Sequence, residues 1–214
     1  MPRWLPLPIL ILMAMQPSSA IAHPHVFVDT ALIVEMNDER DVTSVEVIWA
    51  YDDFFSLLVL QDKGMDEDAD GVLTDDELAD LQGWDMQWVE GYEGDLYLKD
   101  GEASVELSGP IPVSTEVRDG RIVSIHRRDL IDPVPTGDLT LRAYDPEFYT
   151  AYDLTLGVRF RLPEGAPECT SNVEMPDQDT AYQEAQDLMA EFPEDAVDVP
   201  LLGHLFAETV TITC

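Results

Sequence analysis

Basic residues are scarce in this chain. Eleven lysines and arginines stand against 44 aspartates and glutamates, for a formal net charge of −33 over 214 residues. Polyanions such as nucleic acid, and anionic lipid surfaces, are excluded as partners because the protein's own field repels them. The acids are spread along the chain, as on a solvated acidic surface; salt adaptation, cation binding and docking to a basic partner are the alternatives. Beyond the N-terminus there is no apolar run long enough to cross a bilayer, which takes about 20 residues. No serine–histidine–aspartate spacing, nucleophile elbow, phosphate loop or dinucleotide fingerprint is present, so no enzyme class is indicated. Carboxylates are too numerous for any acid/base pair to stand out. There is no internal repeat and no histidine-rich run, and cysteine is limited to Cys169 and Cys214.

The N-terminal 22 residues read as a secretory signal. A short basic start at Met1–Arg3 leads into an apolar stretch from Leu5 to Met15 and a small-x-small site at Ala20–Ala22, which places cleavage before His23. The expected mature chain, 23–214, forms a single exported domain, and the expected location is the periplasm. In that oxidising compartment Cys169 and Cys214 are expected to pair, with a reactive or metal-binding thiol pair as the alternative.

Against this background one stretch is chemically well specified. Asp66-Glu67-Asp68-Ala69-Asp70-Gly71-Val72-Leu73-Thr74-Asp75-Asp76-Glu77 places carboxylates at positions 1, 3, 5 and 12 of a twelve-residue loop, with glycine at position 6. Calcium takes about six to eight oxygens, and this spacing wraps them around one ion. Asp66, Asp68 and Asp70 would offer side-chain oxygens, Val72 its carbonyl, Thr74 a ligand acting through water, and Glu77 both carboxylate oxygens. An acidic surface loop matching by chance is the alternative, and Gly71, Leu73 and Glu77 together argue against it. The paired second loop of calmodulin-like switches is missing. Gly64, two residues before the loop, departs from a regular entering helix.

A second metal candidate is His23-Pro24-His25. With cleavage before His23, a free α-amine would lie beside two imidazoles, a donor set suited to Zn²⁺, Ni²⁺, Co²⁺ or Cu²⁺ and poorly suited to Ca²⁺. Pro24 has no N–H, which rules out a planar site built on backbone nitrogens. Such a site would use the amine and imidazoles, with His126, His204 or a carboxylate as further ligands. Taken singly, His126 and His204 read as structural, and the histidines at 23 and 25 also read as the polar entrance to a strand.

Alternation predicts strands at 25–35 and 42–50 joined by a turn at 37–41, and a helix capped by Asp52 and Asp53. A second helix starts at Thr74 or Asp75 and carries Leu78, Leu81, Trp84 and Trp88 at helical spacing. Short antiparallel strands follow at 95–98, 103–107, 113–117, 121–127, 139–144 and 157–162. A proline- and glycine-containing loop then runs from Pro163 to Pro176, with a helix at 179–192 and a last strand at 205–213. The fold class is α+β: an antiparallel β-rich domain with an inserted helix–EF-type loop–helix over 51–91 and one C-terminal helix.

Three stretches carry a family resemblance. They are Ala22-His23-Pro24-His25-Val26-Phe27-Val28-Asp29, then Tyr144-Asp145-Pro146-Glu147-Phe148-Tyr149, and the closing Phe206-Ala207-Glu208-Thr209-Val210-Thr211-Ile212-Thr213-Cys214. In that order, with an acidic loop between the first two, the chain resembles a bacterial family of unknown function regarded as the periplasmic component of an uncharacterised ABC-type transport system. The resemblance implies an accessory protein of a zinc, nickel or cobalt transporter. It also implies an inner-membrane metal permease as partner, His23 and His25 as transition-metal ligands, and a calcium-filled loop at 66–77. A secreted calcium-stabilised interaction domain is the alternative. An N-terminal-histidine copper redox enzyme is a more remote one.

Overall fold

The computed structural model describes residues 24–68, 70–193 and 200–214. His23 and the expected signal segment lie outside them. Two five-stranded sheets share one hydrophobic core. The first sheet is built on the hairpin of β1 (Val26–Met36) and β2 (Val42–Tyr51), whose buried and exposed residues alternate because one face of each strand meets the core. Helix α1 (Asp53–Asp62) follows at once, and α2 (Asp75–Leu81) lies across the acidic loop from it. The next strands are β3 (Leu96–Asp100), β4 (Ala103–Val105), β5 (Ile111–Arg118), β6 (Arg121–Val134), β7 (Leu139–Ala143), β8 (Thr150–Arg161) and β9 (Thr170–Glu174). Helix α3 (Gln178–Ala190), the short α4 (Gly203–Phe206) and β10 (Thr209–Thr213) complete the chain. Strand order is β5-β6-β2-β1-β8 in one sheet and β4-β3-β7-β10-β9 in the other. The expected α+β class, with a helical insert between the second and third strands, is what forms.

Five expectations need correction. The last strand, expected from Leu205, begins at Thr209, because Gly203–Phe206 forms the short helix α4. β8 pairs with β1 in parallel, against an expected antiparallel run. β8 also begins at Thr150, seven residues before the predicted start. Thr170–Glu174, expected as loop, forms a strand because β10 gives it a full ladder of partners. The second helix stops at Leu81 instead of running through Trp84 and Trp88, since Gly83 turns the backbone to φ +64°. The tryptophans still pack against the core, but from the non-helical segment after Gly83.

Candidate functional site

The acidic loop is set up by how its flanking helices end. α1 closes in a Schellman turn: the Gly64 amide donates to the Gln61 carbonyl at 3.1 Å and the Met65 amide to Leu60 at 2.9 Å. Gly64 supplies the required left-handed residue at φ +67°. Leu60 and Met65 are both buried, which adds the apolar contact of that motif. The break ahead of the loop is therefore a built terminator. On the far side Thr74 caps α2, and a full capping box forms with Glu77.

Within the loop, Asp66, Asp68 and Asp70 each bring one oxygen to within 4.8 Å of the others. Asp66 also accepts from the amides of Asp70 (3.0 Å) and Gly71 (3.2 Å), and Asp70 accepts from Val72 at 2.8 Å. Glu77 is not one of the three. Its carboxylate joins the two ends of the loop, accepting from the Asp66 amide at 3.0 Å and from the Thr74 amide and hydroxyl at 2.8 and 2.7 Å. These hydrogen bonds, Thr74's first, hold its pKa below the usual carboxylate value. Val72 is exposed beside the cluster. Three converging carboxylates on a loop stapled at both ends could hold a metal ion, and an all-oxygen donor set suits a hard divalent cation.

A second constellation forms where the three signature stretches meet. The Asp145 carboxylate caps its own turn, accepting from the amides of Glu147, Tyr149 and Thr150 at 2.9–3.0 Å. The Tyr149 carbonyl takes the amides of His25 and Val26, which fixes the first stretch to the second, and the His25 ring lies 4.9 Å from that of Tyr149. Gly203 donates to the Pro146 carbonyl at 3.0 Å, and a Cβ there would stand 1.7 Å from the Asp145 carbonyl oxygen, so only glycine fits. Phe148 and Phe206 stack at 4.1 Å. Together these stretches wall a cavity of about 180 Å³. His25 is exposed at the start of β1. His204 lies in α4, and its carbonyl accepts from Arg142. His126 is buried in mid-β6. Among the described residues the histidines do not gather into one metal site.

The structure also reveals a buried polar network that residue types alone could not single out. Asp85 accepts from the hydroxyls of Tyr51 (2.9 Å) and Ser124 (3.0 Å), and Asp95 from Tyr92 (2.7 Å) and Tyr152 (2.8 Å). Burial pushes the Asp95 carboxyl up to about 6 and raises Asp85 too. Asp95 holds φ at +53°, and that strained backbone is the one local signal the residue carries. Arg128 lies 4.8 Å over the Trp88 ring and donates to the Glu93 carbonyl at 2.8 Å.

Cys169 and Cys214 form a disulfide with their Cα atoms 4.2 Å apart. No helix among the described residues is long and apolar enough to cross a membrane. No curated protein matches the chain. A family model, however, covers residues 8–214, which takes in every stretch discussed above, and the chain belongs to the family described as "Protein of unknown function (DUF1007)".

Proposed function

We propose that this is an exported, periplasmic metal-handling protein that holds one calcium ion in the 66–77 loop and serves a transition-metal transport system through its N-terminal histidines. The observation that carries the cation reading is the convergence of Asp66, Asp68 and Asp70. Val72, Thr74 and Glu77 would complete the calcium ligands, and the ion would neutralise a loop whose carboxylates otherwise repel one another. Zinc, nickel or cobalt would be taken by His25 together with His23, which precedes the described residues. What supports that assignment is the exposure of His25 at the junction of the three signature stretches. An inner-membrane permease is the partner this reading requires.

Calorimetric titration of the chain beginning at His23 tests both halves separately. Calcium should bind the parent and fail to bind an Asp66→Asn, Asp70→Asn variant. At 100 times Kd it should stabilise the parent by about 2.7 kcal/mol through linkage. Zn²⁺, Ni²⁺ or Co²⁺ should bind the parent more tightly than a His23→Ala, His25→Ala variant. Equal transition-metal affinity in the two would remove the transport half and leave the calcium half standing.

One observation favours the alternative of a calcium-stabilised interaction domain. α1 exposes Phe54, Leu57 and Leu58 at i, i+3 and i+4, an apolar stripe beside the loop. That reading predicts thermal stabilisation by calcium and none by stoichiometric zinc or nickel.

A further inference from the structure

β1 and β8 run side by side with Asp29 opposite Asp153 in the parallel register. Like charges placed directly across a ladder are unfavourable, and a fold keeps them only where something offsets the repulsion. Asp29 has its offset: Arg121 reaches it at 2.7 Å and the Thr155 hydroxyl donates to its other oxygen at 2.5 Å. Asp153 has only solvent: it is exposed, and neither a hydrogen bond nor an ion pair from the protein reaches its carboxylate among the described residues. Burial and the neighbouring Asp29 raise its pKa.

Asp153 is also shared by two adjoining cavities. One, of about 180 Å³, has Tyr144, Phe148, Tyr152, Tyr182 and Phe206 among its walls, interspersed with backbone and polar groups. The other, of about 210 Å³, is lined by Asp29, Asp52, Asp53 and Asp153 around a single guanidinium, Arg121. Phe27, half exposed, borders both. Arg121 is already committed to the carbonyls of Ala50 and Tyr51, to Asp29 and, at 3.8 Å, to Asp53. Asp52 caps α1 through the Phe55 amide and also accepts from Phe27. The carboxylate left over is the one on the boundary between the aromatic and the acidic lobes.

We propose that this two-lobed cleft binds an organic cation, an ammonium or guanidinium on an apolar stem, with the stem among the aromatic rings and the charge against Asp153. Ring faces attract such cations, and the attraction strengthens as water is excluded. The aromatic lobe has the volume of about six water molecules, enough for a small stem. A free amine and a lysine or arginine side chain of a basic partner share this chemistry.

The test uses the chain from His23 in EGTA, so that the acidic loop plays no part, and follows backbone amide shifts during titration. The probes are 2-phenylethylammonium, its neutral isostere 2-phenylethanol, its anionic counterpart phenylacetate, and a capped Gly-Arg-Gly peptide. The ammonium should bind saturably with shifts centred on Phe27, Ala151 and Asp153. Phenylethanol should bind about tenfold more weakly, and phenylacetate not measurably. Asp153→Asn and Tyr182→Ser, both changes at exposed positions, should each weaken the ammonium about three- to tenfold without lowering the melting temperature. Tighter binding of the arginine peptide would name a partner side chain as the natural occupant, and tighter binding of the amine a free metabolite. Equal affinity for all probes would overturn the proposal. So would shifts centred elsewhere, full affinity in both variants, or no saturation of the amine by about 10 mM.

Discussion

His126 is completely buried, and neither of its ring nitrogens has a hydrogen-bond partner among the described residues. It packs edge-on against Trp49 at 4.5 Å and Trp88 at 5.5 Å. Burial, with a smaller contribution from Arg128, lowers its pKa to about 3 from 6.5. A base whose folded pKa is depressed has no effect above pH 6.5, where both states are neutral. Below that the unfolded chain takes a proton the folded chain refuses, and stability falls by up to about 1.4 kcal/mol per pH unit. Asp95 acts in the opposite direction. Its folded pKa of about 6 exceeds the ordinary 3.8, so the unfolded state gains as pH rises from 3.8, and that loss is complete above about 6. His126→Leu keeps a similar volume and leaves no orphaned nitrogen, so at pH 7 it should be neutral to within about 1 kcal/mol. Its urea midpoint should fall less steeply than the parent's between pH 6.5 and pH 4. Parallel curves for the two proteins would show that His126 is not held neutral in the native state.

At the level of elements, the devices that could be read directly are those closed within a few residues. Asp52 as an N-cap, Gly64 as a break and the loop spacing all depend on near neighbours. What escaped depends on distant partners. Alternation along 157–162 says that one face is buried but not whether the neighbouring strand runs with it or against it. Only the pairing of Val26 with Thr150, far apart in sequence, decides that β8 is parallel. Thr170–Glu174 lacks a strong strand signature and is ordered by β10. The helical spacing from Leu78 to Trp88 is apolar for a different reason, since the tryptophans pack on the core from the non-helical segment after Gly83. The cleft at the signature junction was equally hidden, because Asp153 matters only once Asp29 is beside it. Gly203 gives a direct check on that junction. Gly203→Ala would put a methyl group into the Asp145 carbonyl, forcing α4 off the 145–149 turn. It should destabilise the fold by about 2 kcal/mol or more, and amide exchange should quicken in 145–150 and 203–207. Parent-like exchange there would mean that the junction is pliable.

For the molecule as a whole, two opposing effects meet at the C-terminus. A net charge of −33 means that folding gathers like charges into a small volume, and their mutual repulsion favours the expanded chain. The disulfide acts on the expanded chain itself: Cys169 and Cys214 lie 45 residues apart, and cross-linking that span removes about 4 kcal/mol of denatured-state entropy in the chain-entropy model. It also fastens β9 to the end of β10, which pairs with β7 on its other side, so the last sheet edge is held covalently. Screening and cross-linking therefore stabilise by separate routes, and their effects should add. A Cys169→Ser, Cys214→Ser variant should lose about 4 kcal/mol in low salt. Raising monovalent salt from about 0.01 to 1 M shortens the screening length from about 30 to 3 Å. That should raise the melting temperature of the parent and the variant alike. Calcium at millimolar level should stabilise both beyond what an equal ionic strength of sodium chloride achieves, because a bound ion acts at the 66–77 loop and not through screening. Equal effects of calcium and sodium chloride at matched ionic strength would mean that the loop contributes only to the general negative field.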